Sequence, residues 1–216
     1  MYNNKIEILL NLFKYENNEL KILLRKKEDE PFKGYWMLPS EMLSNKESVL
    51  ECTDRMIHDI GFDNVYINTC DVYSSIDRVP DNRILGISVY GLINTLKINQ
   101  EIEVSEEYEW FSVTSIPKTV YDNLEIIEET TNRLKQDLYN TGLLKELFPS
   151  DFTMPELQKL FELVRGKKID RRNFRKKLFK LDVIEDTNEK NVTMTGRPAE
   201  LYRFKDKENK TLFYEQ

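Results

Sequence analysis

Histidine occurs once in this chain of 216 residues, as His58, and cysteine twice, as Cys52 and Cys70. No His/Cys metal cluster can be assembled from that inventory, and no Ser-His-Asp arrangement is indicated. Two thiols without a Cys-x-x-Cys spacing are expected to be reduced and mostly buried, in a cytoplasmic protein. No apolar run approaches the roughly 18 residues of a membrane span, and the N-terminus has no signal-peptide pattern, so no membrane partner is expected. Alanine occurs once, at Ala199, beside abundant Asn, Lys and Ile. That bias bears on the base composition of the gene rather than on function. Internal repeats and low-complexity segments are also missing. What remains is 40% apolar and 11% aromatic, enough to bury sizeable cores, in a length that fits one large or two small domains.

Charge divides the chain unevenly. Residues 1–147 hold 16 Lys/Arg against 26 Asp/Glu, and residues 148–216 hold 16 against 12. An acidic body of net −10 therefore precedes a basic module of net +4, within an overall charge of −6. Lys159 to Lys180 alone holds ten Lys/Arg against Glu162 and Asp170. Within it, Asp170 can cap a helix whose apolar residues Phe174, Leu178 and Leu181 face one way. That turns Arg171, Arg172, Arg175 and Lys176 outward. The preceding helix opens with Thr153 and Glu156 in capping-box spacing around Pro155. It carries Leu157, Leu160, Phe161 and Val164 inward, and stops at Gly166. Val183–Glu185 and Leu201–Phe204 read as paired strands, with Arg197 at the tip between them. Two helices and a basic-tipped ribbon in this order describe a winged helix-turn-helix, and the acidic remainder leaves one face for a polyanion.

The acidic part alternates strands and helices. Ile6–Tyr15 and Leu20–Arg25 read as a hairpin, followed by a loop through Pro31 and Gly34 to Pro39. Lys46–Ile60 reads as a helix capped by Ser44 or Asn45, with Val49, Cys52, Met56 and Ile57 near helical spacing and Gly61 at its end. Val65–Tyr73, Ile84–Ile93 and Glu109–Val113 read as strands, the second so apolar that it belongs in the sheet centre. Asn123–Tyr139 reads as a helix with Leu124, Ile127, Thr131, Leu134 and Leu138 on one side. Thr141–Pro149 reads as a linker.

Residues 5–140 resemble the Nudix fold through Gly34–Pro39, Glu47-Ser48-Val49, Arg55 and Gly61-Phe62. The Nudix box runs G-x5-E-x7-R-E-U-x-E-E-x-G-U. Here Glu47 and Arg55 keep their spacing, but Glu41 stands at the first Gly and Met56 follows Arg55. The two later glutamates fall on Asp59 and Ile60, and Gly61 comes one residue early. Those glutamates hold Mg²⁺ or Mn²⁺ against a pyrophosphate, and a hard ion needs several carboxylate oxygens. The resemblance therefore implies a fold without hydrolysis. With the D-R-R-N-F-R-x-K and G-R-P-A-x-L-Y-R-F segments of the basic module, nearly the whole chain resembles the Nudix-related transcriptional regulators. The stretches Asp77-Arg78, Arg83–Val89 and Tyr121–Leu134 share in this likeness. The group includes repressors of NAD metabolism and regulators of sugar catabolism.

An α+β protein is then expected: a Nudix-like α/β/α sandwich with a mixed sheet over residues 1–145, sensing a metabolite, and a winged helix-turn-helix over 146–216, binding double-stranded operator DNA. The implied effector is an ADP-ribose-like nucleotide or a sugar or sugar phosphate. The implied assembly is a homodimer, and no metal or other cofactor is expected. The candidate DNA contacts are Arg165, Lys167, Lys168, Arg171, Arg172, Asn173, Arg175, Lys176 and Arg197. Arg171, Arg172 and Asn173 occupy the turn that points at bases, where Arg suits guanine and Asn adenine. Lys167, Lys168, Arg175 and Lys176 suit phosphates, and Arg197 suits the minor groove or the backbone.

The candidate effector contacts are Arg25, Arg78 and Arg83 for phosphate or ribose, Trp36 as a stacking platform, and Glu47 of the box. Each also has a plain reading: surface ion pairs for the arginines, core packing for Trp36 and Trp110, and structure for Glu47 and Arg55. His58 reads as solvent-exposed or capping. An active metal-dependent Nudix phosphohydrolase with an appended nucleic-acid-binding module is the alternative. A DNA-binding scaffold without a ligand is a third reading.

Overall fold

The computed structural model describes residues 5–80, 82–93, 106–139, 141–148, 151–191 and 198–205. Lys5–Glu16 (β1) and Glu19–Lys26 (β2) form a hairpin closed by Asn17 and Asn18, at φ 53° and 64°. Positive φ at both turn residues matches the twist of the strands, and Asn tolerates it better than other side-chain-bearing residues. Trp36–Met37 (β3), Ser40–Met42 (β4), Tyr66–Tyr73 (β5), Ile84–Ile93 (β6) and Tyr108–Ser112 (β7) complete a seven-stranded sheet. Its order is β3-β2-β1-β6-β5, with β4 added on β1 and β7 on β2. β1 and β6 run parallel over Lys5–Lys14, while the β5–β6 and β2–β7 pairs are antiparallel, so the sheet is mixed.

Ile8 through Phe13 are buried without a break. Alternate residues of a strand face opposite sides, so both faces of the sheet are covered. The covering helices are Val49–Ile60 (α1), which buries Cys52, Met56 and Ile57, and Asn123–Asp137 (α2), which buries Ile126, Ile127 and Leu134. This is the three-layer arrangement expected from the sequence.

Several local readings are corrected. α1 starts at Val49 rather than Lys46, because Ser48 and Glu51 form a capping box, while the Glu47 carboxylate accepts from the Ser44 amide instead. Leu124 lies exposed on α2, because Asn123 and Ile126 take the inward positions. The segment read as a linker contains a helix, Thr141–Leu147 (α3), that buries Leu144 and Leu147. Two short strands, β3 and β4, replace part of the expected loop.

By packing, residues 5–14, 20–93 and 106–133 form one compact unit, and 15–19 and 134–205 form a second. In the second, Phe152–Thr153 (β8), Ile184–Asn191 (β9) and Ala199–Phe204 (β10) make a sheet of order β8-β10-β9. Met154–Arg165 (α4) and Arg171–Leu181 (α5) pack through Phe161 against Phe174, with ring centroids 5.2 Å apart. Phe152 meets Phe204 at 4.7 Å and Phe148 at 5.2 Å. No helix among the described residues is long and apolar enough to cross a membrane.

Candidate nucleic-acid interface and effector cleft

The basic surface starts from two caps. Thr153 and Glu156 close the expected capping box on α4, and Gly166 ends that helix at φ 64°, a left-handed position that glycine takes without steric penalty. Asp170 then caps α5 by accepting from the Asn173 amide at 2.8 Å. The turn between the helices is held by Glu162. Its Oε1 accepts from the Ile169 amide at 3.0 Å and from the Gln158 side chain at 3.0 Å, and its Oε2 accepts from Lys168 Nζ at 3.2 Å.

The Ile169 amide, then the Gln158 amide and Lys168, hold the Glu162 carboxyl down at about 2. A carboxyl depressed by folding contributes stability that is complete above its ordinary value, about 4.5, and is lost as pH falls toward about 2. Acid unfolding of Glu162→Gln should therefore lack that part of the parental pH dependence. Superimposable acid titrations of the two proteins would refute the role given to this carboxylate.

Phe174 and Leu178 bury the inward stripe of α5, and Arg171, Arg172, Asn173, Arg175, Lys176 and Lys177 are exposed. Leu181, expected inward, is only half-buried at the helix end. Lys167 and Lys168 are exposed in the turn, and Arg165 is half-buried in the last turn of α4. The Lys168–Glu162 pair is a surface contact of little energetic weight. Arg197 lies outside the described residues. One residue departs from its expected setting. Arg175, read as a phosphate contact, is engaged within the chain, donating to the Tyr202 hydroxyl at 2.8 Å and to Glu200 Oε2 at 3.3 Å.

In the first unit a cleft of about 370 Å³ is lined by Arg25, Pro39, Ser40, Glu41, Met56, Asp59, Ile60, Glu107 and Tyr108. Met56 and Ile60 therefore stand on the cleft wall where the Nudix box has glutamates. Arg55 bonds Glu47 at 3.2 Å and also Glu41, and its Nη1 lies 3.8 Å from Asp59. A guanidinium already sits among the carboxylates near the cleft. With apolar side chains at two ligand positions, this donor set does not fit a hard divalent cation. Burial, then the Glu107 charge, pushes the Tyr108 phenol up, which keeps it neutral.

The five candidate effector contacts are dispersed. Arg25 does reach the cleft, paired with Glu107 at 2.8 Å. Trp36 packs instead on Phe111, centroids 4.7 Å apart, because β3 and β7 flank β2. Glu47 is turned to Arg55 and the Ser44 amide. Arg83 Nη1 donates to the Ser74 and Ser75 carbonyls at 2.8 and 3.1 Å.

Arg78 is buried, its side chain 2% exposed. It donates to Glu7 at 2.9 Å and to Asp122 at 2.8 Å, beside a separate pocket bounded by Tyr73, Tyr121 and Glu125. Glu107 and Tyr108 escaped sequence reading because only the pairing of β7 with β2 carries them to Arg25. A rule that tracks cross-strand neighbours of Arg25 would have found them. His58 is exposed in the last turn of α1, as expected.

Residues 144–204 match the family described as the NrtR DNA-binding winged helix domain. The chain is 28% identical over 198 residues to the ADPR responsive transcriptional repressor NtrR of Acinetobacter baylyi, covering 89% of this chain and 79% of that one. Its fold matches the crystal structure of Shewanella oneidensis NrtR complexed with a 27mer DNA at a TM-score of 0.77 and 26% identity, covering 93% of each chain. The chain is also similar to an ADP-ribose pyrophosphatase of Methanocaldococcus jannaschii. That match is 32% identical over 113 residues, half of this chain and 64% of the other. A mixed-sheet sandwich with an altered box, followed by a winged helix, defines a class that pairs a sensor-type fold with a DNA-binding one. Residues 144–204 carry the NrtR-type winged helix, and over nearly its whole length the chain is similar to the Nudix-related transcriptional regulators of NrtR type.

Proposed function

We propose that the chain is an ADP-ribose-responsive repressor. Residues 146–216 bind double-stranded operator DNA, and residues 1–145 bind the effector without hydrolysing it. The observation that carries this reading is α5. One face is sealed into the winged-helix core by Phe174 and Leu178, and the other presents Arg171, Arg172, Asn173 and Lys176 to solvent from a capped first turn. A helix N-terminus with guanidinium and amide groups is suited to base edges in the major groove. A homodimer places two such helices about one turn, roughly 34 Å, apart. The relatives supply the effector class, and the cleft supplies fitting chemistry. Arg25 meets a diphosphate, Tyr108 a base or ribose, and Asp59 and Glu107 accept from ribose hydroxyls.

Absence of hydrolysis follows from Met56 and Ile60 on the cleft wall. Incubation with Mg²⁺ or Mn²⁺ and ADP-ribose is expected to release no product above background. Turnover on the order of 1 per second, lost in Glu47→Gln, would establish the pyrophosphatase reading instead.

The decisive experiment is calorimetric titration of ADP-ribose into the full chain, with and without operator duplex. α2 and α3 connect the sensor sequence to the winged helix without a long tether, so occupancy is expected to change DNA affinity by about 5–150-fold. Reciprocity requires DNA to change ADP-ribose affinity by the same factor. Equal ADP-ribose affinities in the two titrations would remove the sensor role.

A further inference from the structure

Arg175, an exposed cation of α5, is held by a hydrogen-bonded network with two residues of β10. Its Nη2 donates to the Tyr202 hydroxyl at 2.8 Å and reaches Glu200 Oε2 at 3.3 Å. The same carboxylate oxygen accepts from Tyr202 at 2.6 Å. The guanidinium carbon lies 5.6 Å from the ring centroids of both Phe179 and Tyr202. Glu200 and Tyr202 belong to β10, so the network ties the basic helix to a wing strand. The phenol is buried, yet the Arg175 and Glu200 side chains are 50% and 52% exposed, which leaves both within reach of a bound polyanion. The Tyr202 hydrogen bond, then the Arg175 charge, hold the Glu200 carboxyl below its ordinary range. An ionised acid at that place competes with phosphate for the same guanidinium.

We propose that Glu200 is a specificity-determining residue, occupying Arg175 so that binding to arbitrary DNA is held down, while Tyr202 keeps Arg175 posed for the operator. The proposal rests on the DNA-binding reading above. A loose complex with arbitrary DNA needs charge but no fixed geometry, so a competing carboxylate weakens it directly. In the operator complex, base contacts from the first turn of α5 seat the helix. There a pre-ordered Arg175 loses less freedom on binding, which offsets the competition.

The test uses the full-length chain, an operator duplex selected from a random library on that chain, and a scrambled duplex of equal length and composition. Glu200→Gln is expected to bind the scrambled duplex about 3–10-fold more tightly near 0.1 M salt, with a salt slope steeper by about 1 unit. It should bind the operator with a smaller gain, so that discrimination falls. Glu200→Ala, which also removes the acceptor, should act in the same direction. In an Arg175→Gln background the gain should vanish, as a shared interaction requires. Tyr202→Phe should weaken operator binding without steepening the slope. Thermal unfolding of each variant separates these effects from loss of fold. The proposal is overturned if the operator-to-scrambled ratio stays at the parental value in both Glu200 variants, or if the gain survives Arg175→Gln. Failure of the parent to select any duplex would instead overturn the DNA-binding reading itself.

Discussion

The double variant Arg171→Ala/Arg172→Ala should lose recognition of the operator while remaining folded. Both side chains are exposed in the first turn of α5, and neither contributes to the Phe174–Leu178 stripe that packs the helix. Truncating them therefore leaves the core intact. An arginine bidentate to guanine is worth about 1–3 kcal/mol of discrimination. Two such residues together correspond to at least about a 30-fold loss. Lys167 lies one turn earlier, between the helices, and Lys167→Ala should weaken all sequences alike, reducing the salt slope by about 1 unit. Binding isotherms on the selected and scrambled duplexes at several salt concentrations separate the two patterns. Parental operator affinity in the double variant would mean that another surface reads DNA.

Arg78→Met is expected to destabilise the first unit severely. The Arg78 guanidinium is almost fully enclosed and is the shared partner of Glu7 and Asp122, whose side chains are only 16% and 15% exposed. Gly86 makes room for it: a Cβ there would stand 3.0 Å from Arg78 Cζ and 2.7 Å from Leu9 Cδ1. Methionine fills similar volume but abandons two carboxylates in a poorly solvated place, an effect of about 3–5 kcal/mol. Whole-domain stabilities are about 5–15 kcal/mol, so the shift in the denaturation midpoint should be large. Arg83→Met loses only bonds to the exposed Ser74–Ser75 carbonyls and should stay within roughly 0.5 kcal/mol of the parent. If Arg78→Met instead unfolds at the parental midpoint and loses ADP-ribose binding, Arg78 is a ligand contact after all.

The contrast between these two arginines shows where sequence reasoning stops. Arg78 and Arg83 looked alike as candidate phosphate contacts, five residues apart in one loop. Their fates diverge because Glu7 arrives on β1 and Asp122 at the start of α2, from 71 and 44 residues away in the chain. The same holds for Trp36, which β3 directs onto Phe111, and for Arg175, which β10 captures through Tyr202. In each case the deciding partner comes from another element of the fold, and tertiary packing brings it there.

Local physics was legible wherever the interaction itself is local. The Thr153–Glu156 capping box, the Asp170 cap, the glycine ends at Gly61 and Gly166, and the Phe174–Leu178 stripe all operate within about two helical turns, and the structure has each of them. Apolar continuity placed β6 in the sheet interior, because a strand covered on both faces has no polar side to alternate with. The box substitutions Met56 and Ile60 could likewise be read in place, since a helix face is set by spacing alone.

By itself, then, the sequence determined an acidic α/β sandwich with an altered box, joined to a basic winged helix with its recognition turn exposed. Tertiary structure alone decided which charged side chains are available to a ligand and which are structural. Charge type is a property of the residue. Availability depends on the partners that long-range packing delivers, as with Glu107 at Arg25, Glu7 and Asp122 at Arg78, and Glu200 at Arg175.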